Sequence, residues 1–275
     1  MADCSYKLVS RKYKKENTII NINGNLIGEG HICIIAGPCS VETRDQTFEI
    51  AEGIAKLGLK FFRGGIFKGR TSPYSFQGVK NDGFEIFQEI KKSLGLTIVS
   101  EVTSVSQIPQ MINYVDILQI GSRNMQNYEL LKDVARTKKP ILLKRHFSAN
   151  IEELLLAAEY ILLEGNEKII LCERGIKTFE PMTRNTFDIN AIPLLKEITH
   201  LPVIADPSHG TGIRSIVNPV GKAAIMAGAD GLIVEVHNNP DQALSDGFQS
   251  ITLQMLSKLL KDTEVICNLL HKKFN

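Results

Sequence analysis

Ile32-Cys33-Ile34-Ile35-Ala36 runs straight into Gly37-Pro38-Cys39, an apolar block closed by a turn and a thiol. Polar and apolar positions do not alternate in it, so it describes a strand covered on both faces, as strands are in a parallel sheet. Seven similar runs follow: Lys60–Gly64, Leu96–Glu101, Asp116–Ile120, Pro140–Lys144, Lys168–Cys172, Pro202–Asp206 and Gly231–Glu235. Stretches of helical periodicity separate them: Thr43–Leu57, Asp82–Ser93, Val105–Asn113, Gln126–Thr137, Ile151–Glu164, Thr186–Thr199, Ile213–Ala227 and Asp246–Lys261. Asn150 with Glu153 three residues on reads as a capping box, and Gly58, Gly165 and Gly228 stand where helices stop. From Cys39 to Glu235 the repeat averages roughly 28 residues, close to the size of a βαβ unit. Eight such units predict an α/β protein with a closed (β/α)8 TIM barrel; a doubly wound open sheet is the structural alternative.

Ahead of the first run, Thr18–Ile22 and Asn25–Ile27 flank Asn23-Gly24, which predicts a short hairpin that caps the barrel floor. The expected division is residues 1–30 as an extension and 31–275 as one barrel domain. Apolar residues make up 43% of the 275, charged residues 23%, and the net charge is +2, an ordinary globular composition. So mild a charge argues against nucleic acid as a partner, and the lack of an 18-residue apolar run argues against a membrane span. The N-terminus, Met1-Ala2-Asp3-Cys4, leads into charged residues rather than an apolar core, so a cytoplasmic location is expected. Five scattered cysteines, Cys4, Cys33, Cys39, Cys172 and Cys267, do not suggest a disulfide framework and leave one free to act as ligand or nucleophile.

In such a barrel, chemistry belongs at the C-terminal ends of the strands, and the side chains there are strongly polar. Cys39, His209, Glu235 and, in the loop beyond, Asp246 come from the first, seventh and eighth runs, which become neighbours only if the barrel closes. Their S, N and O donors suit Mn²⁺, Fe²⁺, Co²⁺ or Zn²⁺ better than Mg²⁺ or Ca²⁺. A structural use is open for each: Cys39 as a small buried hydrophobe, His209 as a turn residue, Glu235 paired with an arginine. A second group is cationic: Arg63, Lys68, Arg70, Arg123, Lys144 and Arg174. Six converging positive charges call for anions among them, which predicts substrates with more than one anionic group; a solvated charged face is the alternative. Neither a Walker-type loop nor Gly-x-Gly-x-x-Gly opens the first helix, which argues against a nucleotide-hydrolysing or nicotinamide enzyme.

Several long motifs in order resemble the 3-deoxy-7-phosphoheptulonate synthases, in the compact subfamily related to 3-deoxy-D-manno-octulosonate 8-phosphate synthase. They are Ala36-Gly37-Pro38-Cys39-Ser40-Val41-Glu42, the stretch from Arg63-Gly64-Gly65 through Lys68-Gly69-Arg70-Thr71-Ser72 to Gly78, Gly121-Ser122-Arg123-Asn124, Cys172-Glu173-Arg174-Gly175, Asp206-Pro207-Ser208-His209-Gly210-Thr211-Gly212 and Glu235-Val236-His237. The resemblance implies condensation of phosphoenolpyruvate with erythrose 4-phosphate, with release of phosphate, as the first step towards chorismate and the aromatic amino acids. It implies Cys39, His209, Glu235 and Asp246 as ligands of a divalent ion, Mn²⁺ ahead of Fe²⁺, Co²⁺ or Zn²⁺. It places Arg63, Lys68, Arg123, Lys144 and Arg174 around phosphoenolpyruvate, Arg70, Thr71 and Ser72 at the aldose phosphate, and Asp206 among the substrate-binding groups. Lys68 or Lys144 is the expected proton donor, on the argument that neighbouring arginines lower a lysine pKa. A homodimer or homotetramer is implied. Neither end of the chain has room for the feedback domains some relatives carry, so no separate regulatory domain is expected.

The rival reading is the octulosonate synthase with arabinose 5-phosphate, whose aldose loop resembles Lys-Ala-Asn-Arg-Ser-Ser, one residue longer between lysine and arginine than Lys68-Gly69-Arg70. Another is a non-catalytic barrel that binds phosphorylated metabolites. Gly69 stands where proline is usual, which predicts a looser aldose loop, and His146-Phe147 replaces smaller residues.

Overall fold

The computed structural model describes residues 5–274; the expectations on Met1–Cys4 lie outside that range. Strands β1 (Ile20–Ile22) and β2 (Asn25–Ile27) form the antiparallel hairpin, with Ile20 opposite Ile27. Its turn residues Asn23 and Gly24 both have positive φ, 53° and 86°, as a type I′ turn requires.

The barrel strands are β3 (His31–Gly37), β4 (Phe61–Arg63), β5 (Thr97–Val102), β6 (Ile117–Ile120), β7 (Ile141–Lys144), β8 (Ile169–Glu173), β9 (Val203–Ala205) and β10 (Gly231–Glu235). Each pairs in parallel with the next, and β10 returns to β3 in register from Gly231 opposite Cys33 to Glu235 opposite Gly37. That pairing closes the ring and rules out the open sheet. Gly37 has φ +151°, and a Cβ there would lie 1.9 Å from the Arg63 carbonyl oxygen, so β3 and β4 can approach only with glycine at this position.

Side chains divide by parity along each strand. Cys33 and Ile35 of β3 join Phe61, Val99, Ile117, Leu142, Ile170, Cys172, Ile204 and Ile233 inside the ring, and Ile20, Ile22 and Ile27 of the hairpin close this interior from below. Ile32, Ile34 and Ala36 face outward into the larger core beneath the helices. Both faces are therefore apolar, which is why the strands read as unbroken runs.

The helices are α1 (Arg44–Lys56), α2 (Asp82–Leu94), α3 (Ile108–Tyr114), α4 (Tyr128–Arg136), α5 (Ile151–Leu163), α6 (Ala191–Ile198), α7 (Pro207–Thr211), α8 (Arg214–Met226) and α9 (Leu253–Leu269). Asn150 forms the expected capping box with Glu153. Four segments depart from expectation. Helix α6 starts at Ala191 rather than Thr186, because Thr186 pairs with Ile176 across the preceding loop. Helix α9 starts at Leu253 rather than Asp246, with Thr252 as its cap, and runs on to Leu269. The one-turn α7 was unforeseen, as was β11 (Lys273–Phe274), which pairs in parallel with the start of β3. Among the described residues no helix is long and apolar enough to cross a membrane.

Candidate active site

Above the C-terminal ends of the strands lies a cavity of about 900 Å³. Arg63, Lys68, Arg70, Arg123, Lys144 and Arg174 all line it, with Thr71 and Ser72 on the loop after β4. The cationic ring predicted from strand-end positions is thus assembled. Its charges are not equally free. Arg63 Nη1 lies 3.2 Å from Glu235 Oε1, Lys68 Nζ donates to Cys39 Sγ at 3.1 Å, and Lys144 Nζ donates to Asp206 Oδ2. Arg70, Arg123 and Arg174 have no carboxylate partner among the described residues; Arg123 donates to the Gly69 carbonyl at 3.2 Å and Arg174 to that of Gly175. Arg174 is only 5% exposed, and burial first, with Arg184 nearby, lowers its pKa. A buried guanidinium without a counter-ion at a cavity wall is a site for an anionic group.

Cys39 and Glu235 are buried beneath the cavity wall that His209 and Asp246 help to form; Cys39 follows β3, Glu235 ends β10 and Asp246 lies in the loop after it. One donor atom from each falls within 4.8 Å of the other two. His209, on α7, stands beside this group, with Nε2 3.4 Å from Glu235 Oε1 and 3.9 Å from Asp246 Oδ2. Its Nδ1 lies 2.8 Å from Asp206 Oδ2. Asp206 is held well below the usual carboxylate range: burial opposes this, but His209, Lys144 and Arg63 outweigh it. Asp206 is therefore an acceptor, and Nδ1 carries the proton. Burial lowers the His209 pKa despite Asp206 and Glu235, so the ring gives up its Nε2 proton more readily than a free imidazole and then turns a lone pair towards Glu235.

That juxtaposition tests whether the residues fit a cation. Glu235 Oε1 is buried with no hydrogen-bond partner, and the Glu235 pKa is lowered against burial by positive charge on His209 and then by Arg63 and Lys68, of which the last two remain when the ring is neutral. Two electron-pair donors 3.4 Å apart without a proton between them repel, and a divalent ion relieves that repulsion. Burial first, then Glu235, push the Cys39 thiol up to about 12, so ion binding there releases a proton. Asp246, at about 2 against the cost of burial, is kept ionised by Arg184 above all, with Lys68 and the hydrogen bond from the Cys39 thiol adding to it. The donor set fits a transition-series divalent ion. Cys39 is buried and Glu235 pairs with an arginine, as the structural use would have it, and donor atoms of both also lie near one point.

Two expectations need amending. Asp206 does not line the cavity; it is fully buried and orients His209 and Lys144. The Lys68 pKa is raised rather than lowered: burial pulls it down, but Cys39, Glu101 and Glu235 outweigh burial and Arg63. Gly69 lies in open space and its φ is outside the left-handed region, so nothing in its surroundings requires glycine. Phe147 lines the cavity, with Lys177 Nζ 4.8 Å from its ring centroid.

Sequence reasoning missed other residues. Arg184 and Asn185, on the loop after β8, line the cavity, and Glu101, noted only as a strand end, does so with Gln119. A Cβ on Gly121 would lie 1.9 Å from Glu101 Oε1, so that glycine makes room for the carboxylate. Arg145, next to Lys144, is buried and donates from Nη1 to Glu173 Oε2 and to Asp188 Oδ2, each at 2.9 Å, tying the ends of β7 and β8 together. The only sequence signal for Arg184 was an arginine in a long polar loop.

Fold and site together define a barrel enzyme whose closed end gathers donors for a cation beneath a cavity for polyanionic small molecules. The family model for the DAHP synthetase I family matches residues 12–268. The phospho-2-dehydro-3-deoxyheptonate aldolase of Thermotoga maritima is 48% identical over 98% of this chain and 80% of its own length. Its crystal structure superposes with a TM-score of 0.97 at 47% identity, covering all of this chain and 80% of that one. A truncated form of the 3-deoxy-D-arabino-heptulosonate 7-phosphate synthase from the same organism gives 0.92 at 45% identity, covering 98% of this chain and all of that one. The 2-dehydro-3-deoxyphosphooctonate aldolase of Syntrophobacter fumaroxidans is 32% identical over 86% of this chain and 88% of its own length. The chain belongs to the DAHP synthetase I family.

Proposed function

We propose that the chain joins phosphoenolpyruvate to erythrose 4-phosphate, giving 3-deoxy-D-arabino-heptulosonate 7-phosphate and inorganic phosphate. The observation that carries this is Glu235 Oε1, buried without a hydrogen-bond donor and facing His209 beside Arg63, beneath a cavity ringed by cations. Cys39, His209, Glu235 and Asp246 would hold a divalent ion, Mn²⁺ before Fe²⁺, Co²⁺ or Zn²⁺. When bound, it supplies Lewis-acid polarisation of the aldehyde.

The protein's own groups do the rest. Arg174, Arg123 and Lys144 hold the carboxylate and phosphate of phosphoenolpyruvate, and Arg63 and Lys68 add positive charge beside it, so that C3 is presented to the aldehyde carbon. Arg70, Thr71 and Ser72 hold the aldose phosphate. As the C3–C1 bond forms, the enol carbon C2 becomes electron-poor and water adds to it with loss of one proton; the C2–O bond to phosphate then breaks as the new C2 hydroxyl becomes a carbonyl and its proton leaves with the phosphate, and the aldehyde oxygen gains a proton. Lys68 or Lys144 delivers that proton; the donor is the one whose methionine variant loses kcat without a matching rise in KM.

The short Lys68-Gly69-Arg70 link and the 48% identity to the Thermotoga enzyme favour the four-carbon aldose over arabinose 5-phosphate. Phosphate release with each aldose, before and after chelation and after return of metal, tests the reading. Release with erythrose 4-phosphate that chelation abolishes and metal restores supports it; preference for arabinose 5-phosphate, or indifference to chelation, overturns it. Self-association as a dimer or tetramer, a cytoplasmic location and a catalytic unit spanning 31–275 belong to the same proposal, and sedimentation measures the first.

A further inference from the structure

We propose that Gln249 is a positioning residue whose single amide aims Glu235 at the ion and holds Arg184 against the wall of the substrate cavity. The inference rests on the ion site proposed above and adds a residue that neither spacing nor charge pointed to.

Gln249 lies in the loop between β10 and α9 and is fully buried. Its Nε2 donates to Glu235 Oε2 at 2.6 Å, and its Oε1 accepts from Arg184 Nη1 at 2.7 Å. Its backbone N–H donates to the Asp246 carbonyl at 3.2 Å. Both polar ends of the side chain are thus committed, one to each of two groups that face the site.

The consequence for Glu235 is asymmetric. A carboxylate has two equivalent oxygens and turns about its Cγ–Cδ bond, so its direction must be set by something else. Gln249 occupies Oε2 and leaves Oε1 facing His209 Nε2 at 3.4 Å and Arg63 Nη1 at 3.2 Å. Without the amide, Oε2 becomes a second buried oxygen without a donor, and the carboxylate turns towards Arg63, its nearest cation. Groups that orient ligand side chains in this way are worth about 10- to 100-fold in ion affinity.

Arg184 extends the same device outward. It lines the cavity, and its Nη1 lies 3.4 Å from Asp246 Oδ1 as well as on Gln249. Asp246 sits in the left-handed region at φ 51°, a conformation that a non-glycine residue keeps only when its surroundings hold it. The amide therefore links one ligand carboxylate directly with the loop and the arginine that hold the other.

The test is a Co²⁺ titration of the metal-free full chain, wild type against Q249M and Q249N, followed by the sulfur-to-cobalt charge-transfer absorption, with thermal melts of the metal-free forms. Methionine keeps the volume and loses both hydrogen bonds; asparagine keeps the amide but is one methylene short. The expected result is the same absorption band reached at about 10- to 100-fold higher cobalt in both variants, with metal-free melts close to that of the wild type. Cobalt affinity within about twofold of wild type in a folded variant overturns the proposal. So does failure of both variants to fold, which makes the amide structural. Absence of the band in the wild-type chain refutes the ion site itself.

Discussion

Asp206→Asn is the most revealing single change. Asp206 Oδ2 accepts from both Lys144 Nζ and His209 Nδ1, while Oδ1 caps α7 by accepting from the His209 backbone N–H at 2.9 Å. Asparagine has the same shape and its oxygen keeps the cap, which spares about 1 kcal/mol. Its NH2, however, must face the Lys144 ammonium or the His209 N–H, so a donor meets donors. The Lys144 side chain is 5% exposed and loses its only carboxylate partner among the described residues. Removing one member of a buried pair costs about 3–5 kcal/mol. For a chain of this size that corresponds to a fall in Tm of roughly 6–20 °C. The pH dependence follows from the depressed Asp206 pKa. A carboxyl depressed in the folded state contributes fully above its unfolded value of about 3.9 and loses that contribution as pH falls through its folded value. Urea unfolding of both proteins from pH 7 down to 3.5 should therefore show a wild-type advantage that is flat to about pH 5 and begins to narrow near pH 4. A gap below about 1 kcal/mol at pH 7, or one that widens on acidification, would refute the reasoning.

Arg174→Met should leave the fold intact, since no carboxylate depends on the guanidinium, and should lower kcat/KM for phosphoenolpyruvate about 10- to 150-fold, the worth of a charged hydrogen bond; steady-state kinetics with each substrate varied reads it. Gly69→Ala adds a Cβ with no atom within 4 Å and should stabilise the chain by about 0.4–1 kcal/mol with activity retained, measured by urea midpoint and turnover. His200 is buried and neutral, donating from Nε2 to the Leu8 carbonyl at 2.9 Å and accepting at Nδ1 from Thr18 Oγ1 at 2.7 Å. Burial lowers its pKa, so its contribution is full above the ordinary histidine value of about 6.5 and is lost as pH falls below it. His200→Gln should flatten the decline in stability between about pH 6.5 and 5, and equal slopes for the two proteins would contradict this.

The barrel was legible because every strand is apolar on both faces, which gives unbroken runs such as Ile32–Ala36 and Ile169–Cys172, and because helices with ordinary caps fill the gaps. Strand-end positions then placed Cys39, Glu235 and the six cations at one rim without any distance being known. Boundaries failed where a segment serves the site instead of the core. Asp246 to Ser250 has apolar neighbours at helical spacing, yet its backbone is spent on turning Asp246 inward, and Thr252 was the better cap signal. Thr186 to Asn190 is likewise drawn off by the pairing with Ile176 and by Asp188 receiving Arg145. Nor could charge alone say which cation meets which anion: Arg63 and Lys68 look like substrate groups in sequence but pack against Glu235 and Cys39. Gln249 and Arg184 left no trace, because an amide or an arginine in a polar loop is ordinary until its partners are seen.

Strand β10 closes the ring against β3, so Cys39 meets Glu235 only after the six intervening strands have been made. A nascent chain that has emerged only as far as α8 already holds the thiol, the imidazole and all six cations, yet lacks both carboxylates. A fragment that stops before β10 therefore lacks two of the four donors proposed for the ion, and only ring closure completes the set.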